Sequence, residues 1–339
     1  MPDVHRPEAL VVMSREAFRN QFGEEQLSRL RTLARVPEPL FVEDLDDPAL
    51  GERLAGVEVL LTGWGAPQLT AGRLDRMPRL RAMLHSAGSV RPHVTEELWR
   101  RGVRVAAVAE VNAAPVAEFT LAAIVLAGKK APFLAAGRDP RRDGDAALTR
   151  FGGLGNFGVT IGVVGFSRIG RRVVALAQQL SAVTVLVADP FADPDEVRAA
   201  GGRPVPLEEL LPRVDVLSLH APELPSTRHM ISARELSALP DHATVINTAR
   251  GSLIDTEALV RECAAGRLNA ILDVTDPEPL PEDSGLYGLP NVMVTPHLAG
   301  SLGNELHRLT EAALDELERF AAGRPLHEEI TAESLRLSA

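Results

Sequence analysis

At 339 residues the chain is long enough for two ordinary domains with sizeable cores. A hydrophobic content of 45% with 24% charged residues describes a soluble globular protein, and a net charge of −10 argues against general nucleic-acid binding, which wants a basic stripe. The single cysteine, Cys263, cannot form an internal disulfide, the N-terminus lacks a basic region leading into an apolar core, and no run approaches a membrane span. The expectation is a cytoplasmic protein with neither nucleic acid nor membrane as partner.

In chain order, residues 9–13 read as a strand and 15–34 as a helix. Strands follow at 57–61, 80–85 and 103–108, with a short helix at 69–77. After Asn112 comes a long helix, about 116–128, apolar nearly all round, as expected for burial between layers or domains. Residues 138–156, with charges, Gly and Pro, read as a loop. Further strands are expected at 159–164, 183–188, 214–219, 243–247, 270–274 and 292–294. Helices are expected at 171–180, 207–211, 233–239 and 256–264. A last amphipathic helix, 303–322, precedes a short tail. Alternation of this kind implies an open, mostly parallel sheet with helices on both faces.

The segment 159–189 has the order of a dinucleotide-binding βαβ unit: apolar strand, tight turn from Gly165 to Gly170, helix, second strand, and Asp189 at its end. The turn, with Arg168 and Ile169, would aim helix-start N–H groups at a pyrophosphate. Ser167 stands where the fingerprint has its middle glycine; its Cβ would crowd the pyrophosphate, or its hydroxyl would donate to a phosphate oxygen. Asp189 attracts a ribose 2′-hydroxyl and repels a 2′-phosphate, and Pro190, Phe191 and Ala192 offer no Arg, so NAD is favoured over NADP.

Ligands of such sheets collect at the carboxyl ends of the strands. There the chain places His220-Ala221-Pro222, then Thr248-Ala249-Arg250-Gly251, then Asp273 to Glu278, then Thr295-Pro296-His297. Arg can grip a carboxylate in bidentate fashion, and His can move a proton near neutral pH with a carboxylate to orient it. On spacing alone each has a plain reading too: a solvated charge for Arg250, a rigid loop for Glu278, a backbone-satisfied ring for His297. Nine histidines show no metal-ligand spacing, so no metal is expected.

The runs Asn247-Thr248-Ala249-Arg250-Gly251, Asp273-Val274-Thr275-Asp276-Pro277-Glu278-Pro279 and Thr295-Pro296-His297-Leu298-Ala299-Gly300 resemble the NAD-dependent D-2-hydroxyacid dehydrogenase family. So do Val111 to Glu118 and Leu219-His220-Ala221-Pro222. The resemblance implies that Arg250 binds the substrate carboxylate and carbonyl oxygen, His297 is the acid/base on the C2 oxygen, and Glu278 pairs with it to favour the imidazolium. It implies NAD contacts at Gly165, Ser167, Arg168, Ile169, Gly170, Asp189, His220, Ala221, Pro222 and Thr248. Asp273 matches the residue that holds the nicotinamide carboxamide, and Ala87, Gly88 and Ser89 match the loop cradling the substrate carboxylate. It further implies a homodimer built through the nucleotide domain and a small 2-oxo or 2-hydroxy acid as substrate.

The fold then expected is two Rossmann-like or flavodoxin-like α/β domains with parallel sheets and the active site in the interdomain cleft. The substrate domain would comprise 1–115 and 303–339, the NAD-binding domain 116–302. Three departures stand out: Ser167; Thr275, where family members often have Phe; and Val90 and Pro92, where members carry a second glycine and an Asp. Trp64 is read as a wall of the substrate pocket or a packing residue, and Arg91 and His93 as contacts to a second anionic group or solvated loop residues. Two rival readings are a dehydrogenase of formate, phosphite or a hydroxyphosphonate, and an NAD-sensing protein like the corepressors that resemble this family. The retained Glu278 weakens the formate version.

Overall fold

The computed structural model describes residues 5–136 and 150–337. The expected loop at 138–156 lies outside the described residues up to position 149; from Arg150 to Asn156 it is turn and irregular backbone. The chain divides into two compact units, one made of the segment up to Asn112 and from Ser301 onward, the other of Ala113–Gly300.

The first unit holds β1 (Ala9–Val12), β2 (Phe41–Val42), β3 (Val59–Thr62), β4 (Ala82–His85) and β5 (Arg104–Ala107). The second holds β6 (Thr160–Val164), β7 (Thr184–Ala188), β8 (Arg203–Pro204), β9 (Val216–Leu219), β10 (Thr244–Asn247), β11 (Asn269–Leu272) and β12 (Val292–Val294). A last strand, β13 (Glu329–Ile330), returns to the first unit.

The first sheet runs β13-β5-β4-β3-β1-β2, with every pair parallel except β13 against β5. Its five parallel strands have the flavodoxin-like order. The second sheet runs β12-β11-β10-β9-β6-β7-β8 and is parallel throughout, the doubly wound dinucleotide-binding order with one strand added. Both sheets are buried on both faces, so their strands read as unbroken apolar runs. In β1, Ala9 and Val11 join one core while Leu10 and Val12 join the other. In the second unit Ile161 and Val163 of β6 pack with Val216 and Ile246, whereas Leu217 and Val245 face the opposite core.

Four expectations are corrected. The helix over 15–34 is two helices, Arg15–Gln21 and Glu24–Leu33. The break falls at Phe22-Gly23, both extended; Gly23 is a poor helix-interior residue, and its N–H donates to the Gln26 side chain at 3.2 Å to start the second helix. The helix after the fingerprint turn begins at Arg168, not 171, because Ser167 caps it. The tail is not a mere tail: it supplies β13, tied by the bidentate Arg104–Glu329 pair at 2.8 and 2.9 Å, and the helix Ala332–Leu337.

The fourth concerns the long helix, which spans Ala109–Gly128 and by length and composition is apolar enough to cross a membrane, with mean hydropathy 1.6 over 18 residues. Half of that window is buried, with Ala117, Ile124 and Ala127 in the core beside β6, and its density of Ala, Val and Leu on both sides produces the signal.

Candidate active site

The fingerprint turn is built by close approaches. Gly165 has φ +94°, and a Cβ there would stand 2.6 Å from the Ala221 N, so only glycine fits between the end of β6 and the loop after β9. A Cβ at Gly170 would meet the Gly165 O at 2.0 Å. The middle position faces no such constraint: Ser167 is extended, and its Oγ accepts from the Gly170 N–H at 3.3 Å. It thus serves as N-cap of the helix Arg168–Ala177, while its hydroxyl proton stays available to an anion at that helix start.

Asp189 closes the turn from the other side. Its Oδ2 accepts from the Phe166 N–H at 2.7 Å and its Oδ1 from the Phe191 N–H at 2.9 Å. Each oxygen keeps a lone pair for a ribose hydroxyl. Beside it opens a cavity of about 660 Å³ lined mostly by apolar residues, among them Ala188, Pro190, Val205, Leu207 and Met230, and also by Arg198 and Glu208, a cleft of the kind that takes a flat heterocycle. Sequence reasoning named Pro190 only as offering no Arg and missed the lining role of the others; Leu207 carried only a helix signal. The turn, the carboxylate and the cavity together fit NAD. A second cavity of about 310 Å³ lies at the amino ends of the same sheet, beside Lys130, Asp215 and His242, away from the strand ends that carry the chemistry.

Other expected cofactor residues are placed with their side chains inward. The His220 ring is 3% exposed and shares a 2.8 Å hydrogen bond with Ser218 Oγ; burial lowers its pKa to about 3. What it and Ala221 present to Gly165 is backbone. Thr248 is buried against Thr120, hydroxyl to hydroxyl at 2.9 Å, and Ile169 packs on the core. Pro222 is half-buried, and its carbonyl accepts from Thr227 Oγ1 at 2.6 Å. Arg168 is half-buried at the helix start.

At the ends of β10, β11 and β12 the structure brings Glu278 and His297 together: His297 Nδ1 lies 2.6 Å from Glu278 Oε1. Their side chains are 42% and 53% exposed, so the pair is open to a reactant. His297 has φ +53°, a strained backbone held by its own N–H, which donates to the Asp273 O at 3.0 Å. Asp273, 2% exposed, clamps the same loop. Its carboxylate accepts from Thr295 Oγ1 at 2.6 Å, the Leu298 N–H at 2.8 Å and the Ala299 N–H at 2.9 Å. Three of its roughly four lone-pair sites are thereby used within the chain, leaving about one for the carboxamide the resemblance assigns to it.

Arg250 starts the 3₁₀ turn Gly251–Leu253 and is 40% exposed. Buried Asn247 shapes that turn, its Nδ2 donating to the Arg250 O at 2.8 Å and its Oδ1 accepting from the Ala249 N–H at 3.1 Å. Gly251 is the contact point with the next loop, since a Cβ there would stand 1.9 Å from the Thr275 carbonyl carbon. Thr275 uses the space of the expected Phe differently: its hydroxyl donates to the Pro277 O at 2.8 Å, one residue before Glu278. The supporting roles of Asn247 and Gly251 went unseen in the sequence, although both sit in the quoted motif.

In the first unit, Ala87 is buried and Gly88 and Ser89 are half-buried after β4. Val90 is 1% exposed in the core with Val94 and Leu98, which explains a large side chain where the family has glycine. Pro92 is exposed, and nothing in the structure explains it. Trp64 is 42% exposed. Arg91 donates to the Leu335 O of the C-terminal helix. His93 is packed beside His85, with ring centroids 4.9 Å apart, and burial lowers its pKa.

A doubly wound dinucleotide-binding unit and a flavodoxin-like unit, with an acid-paired histidine at the strand ends of the former, define a class of two-unit α/β proteins. Residues 134–299 match the family model described as D-isomer specific 2-hydroxyacid dehydrogenase, NAD binding domain. The chain belongs to that family, and its cofactor is NAD. Among curated proteins, D-3-phosphoglycerate dehydrogenase of Mycobacterium tuberculosis is 30% identical over 298 residues, 86% of this chain and 55% of that protein. Hydroxypyruvate reductase of Blautia hydrogenotrophica is 33% identical over 171 residues, 50% of this chain and 52% of that protein. The chain spans about half the length of the curated relatives it matches. Among solved structures, the TT0316 protein of Thermus thermophilus is 30% identical with TM-score 0.75, covering 96% of this chain and all of that one. D-mandelate dehydrogenase of Rhodotorula graminis, 23% identical, shares the fold with TM-score 0.81 over 96% of this chain and 98% of that one.

Proposed function

We propose that this chain is a reversible NAD-dependent D-2-hydroxyacid dehydrogenase, working mainly as a 2-oxo acid reductase. The observation that carries the reading is the 2.6 Å contact between His297 Nδ1 and Glu278. With Nδ1–H donated to the carboxylate, Nε2 is the nitrogen that gains and loses a proton, and Glu278 holds the charge that results. NADH, held by the fingerprint turn and Asp189, would supply a hydride for the carbonyl carbon. His297 delivers a proton to the oxygen of that carbonyl as charge develops there, and Arg250 holds the neighbouring carboxylate. The Gly165–Gly170 turn and the start of its helix hold the pyrophosphate, and Asp189 the ribose hydroxyls.

NADH oxidation by purified protein, with pyruvate, glyoxylate, hydroxypyruvate, phenylpyruvate and branched-chain 2-oxo acids, tests this, with NADPH run beside it. The reading expects turnover with at least one class and a clear preference for NADH. Silence across the panel, with NADH binding shown separately, would favour the NAD-sensing reading. The reading includes a homodimer through the nucleotide unit. In support, the helix Ala109–Gly128 leaves Phe119, Ala122 and Leu126 along one outer face at helical spacing, with Leu126 41% exposed. Light scattering should give the mass of two chains, and Leu126→Arg should shift it toward one.

A further inference from the structure

We propose that Glu223 is a specificity residue of this site: it competes with the substrate carboxylate for Arg250 and turns away acids that carry a second negative group. The inference rests on the dehydrogenase reading and names its substrate class as monoanionic 2-oxo acids.

Glu223 lies on the loop after β9, directly after Pro222. Its side chain is 57% exposed but is tethered at one oxygen. Its Oε1 accepts from Ser252 Oγ at 2.7 Å, and Ser252 is itself 6% exposed on the turn that Arg250 begins. That bond sets the other oxygen, Oε2, 4.0 Å from Arg250 Nε. The guanidinium is also drawn back on its own chain, with Nη1 donating to the Ala249 O at 2.6 Å. A tethered carboxylate therefore stands beside the cation that the mechanism gives to the substrate.

The surrounding charges point the same way. On the loops after β9, β10, β11 and β12, among the described residues, the arginines are Arg228 and Arg250. Arg228 Nη2 stands 3.1 Å from Asp276 Oδ2, so each already faces an acid. Asp276 is thus paired with Arg228 and Glu278 with His297, which leaves Glu223 as the carboxylate that shares Arg250. One carboxylate can win Arg250 by its bidentate fit, but a second anionic group beside it finds on these loops, among the described residues, no further arginine without an acid partner and the charge of Glu223 close by. Partial exposure of Arg250 and Glu223 lets solvent and salt soften the effect, so it is a matter of a few-fold, not of all or none.

The test uses the full chain with NADH bound and oxamate as the carboxylate probe, its affinity read by quenching of NADH fluorescence. Wild type, Glu223→Gln and Arg250→Lys are compared. Gln keeps an oxygen for Ser252 and loses the charge. Glu223→Gln should bind oxamate about threefold to fivefold more tightly, and the gain should shrink in high salt. In turnover, hydroxypyruvate and its 3-phospho derivative form a matched pair differing by the phosphate. The wild type should prefer the unphosphorylated acid, and Glu223→Gln should narrow that preference by a similar factor. Unchanged oxamate affinity in Glu223→Gln, with Arg250→Lys weakened, would overturn the inference and leave the dehydrogenase reading standing. A wild type that prefers the phosphorylated acid would do the same. Oxamate binding that is absent in the wild type, or undiminished in Arg250→Lys, would overturn both.

Discussion

The carboxyl ends of the parallel strands carry polar side chains in both units, all of them buried in one set and only part of them in the other. In the first unit Thr62, His85 and Ser86 are all but fully buried. Thr62 Oγ1 and His85 Nδ1 share a hydrogen bond of 2.9 Å, and Ser86 Oγ donates to Gln21 Oε1 at 2.5 Å. Burial, and then His93 nearby, lowers the pKa of His85 to about 3, so this ring stays neutral. In the second unit His220 is buried in the same manner, but three other titratable groups stand outward, Arg250, Glu278 and His297 each about half exposed, while buried Asn247 and Asp273 grip their loops from behind. Buried polar groups paired among themselves make a scaffold; exposed ones braced by buried ones make a site.

The comparison breaks first at Gly251, where the bracing passes between two loops. Gly251→Ala puts a Cβ 1.9 Å from the Thr275 carbonyl carbon, so the Arg250 turn and the segment leading to Glu278 must separate. An error of this size at the reacting groups is expected to lower kcat/KM on the order of a hundredfold. A chemical melt run beside the assay should show a folded protein.

Next comes the scaffold histidine that each unit contains. His85 and His220 both have native pKa values of about 3 from burial, against 6.5 when unfolded. The unfolded chain therefore takes up protons that the native chain refuses, and this stability, complete above about pH 6.5, is lost as pH falls toward 3. His220→Gln should remove part of that slope. Near pH 5, relative to its value at pH 7, the wild type should lose on the order of 2 kcal/mol more than the variant in urea unfolding. A parallel fall in both proteins would contradict the buried, neutral ring.

The smallest effect is at Ser167. Ser167→Ala removes the N-cap of the fingerprint helix and should cost about 1 kcal/mol of stability, whereas Ser167→Gly should cost only a few tenths. An NADH affinity that improves in Ser167→Gly without loss of stability would show that the side chain crowds the pyrophosphate after all.

What the sequence made legible follows the same divide. Buried parallel strands are runs of apolar residues whatever lies around them, so ten of the thirteen described strands were placed within two residues. The short edge strands β2, β8 and β13 were missed, because two residues become a strand only when a neighbour accepts them, as Val105 and Ala106 accept Ile330 and Glu329. In the site, Arg250, Glu278 and His297 were visible as polar residues after strands. Their pairing was legible only through the family resemblance and not from spacing, since Glu278 and His297 are 19 positions apart and the loop geometry joins them. Gly251 and Asn247 were invisible as supports for a similar reason: a close approach or an inward amide has meaning only against the backbone it meets.

The acid-paired histidine is the centre of the account, and His297→Gln tests it most directly. Single-turnover oxidation of bound NADH by an active 2-oxo acid should slow by a factor of about a hundred to ten thousand, while NADH affinity stays within about twofold of the wild type. A variant that turns over within tenfold of the wild type would show that the proton comes from elsewhere and that the Glu278–His297 pair is structural.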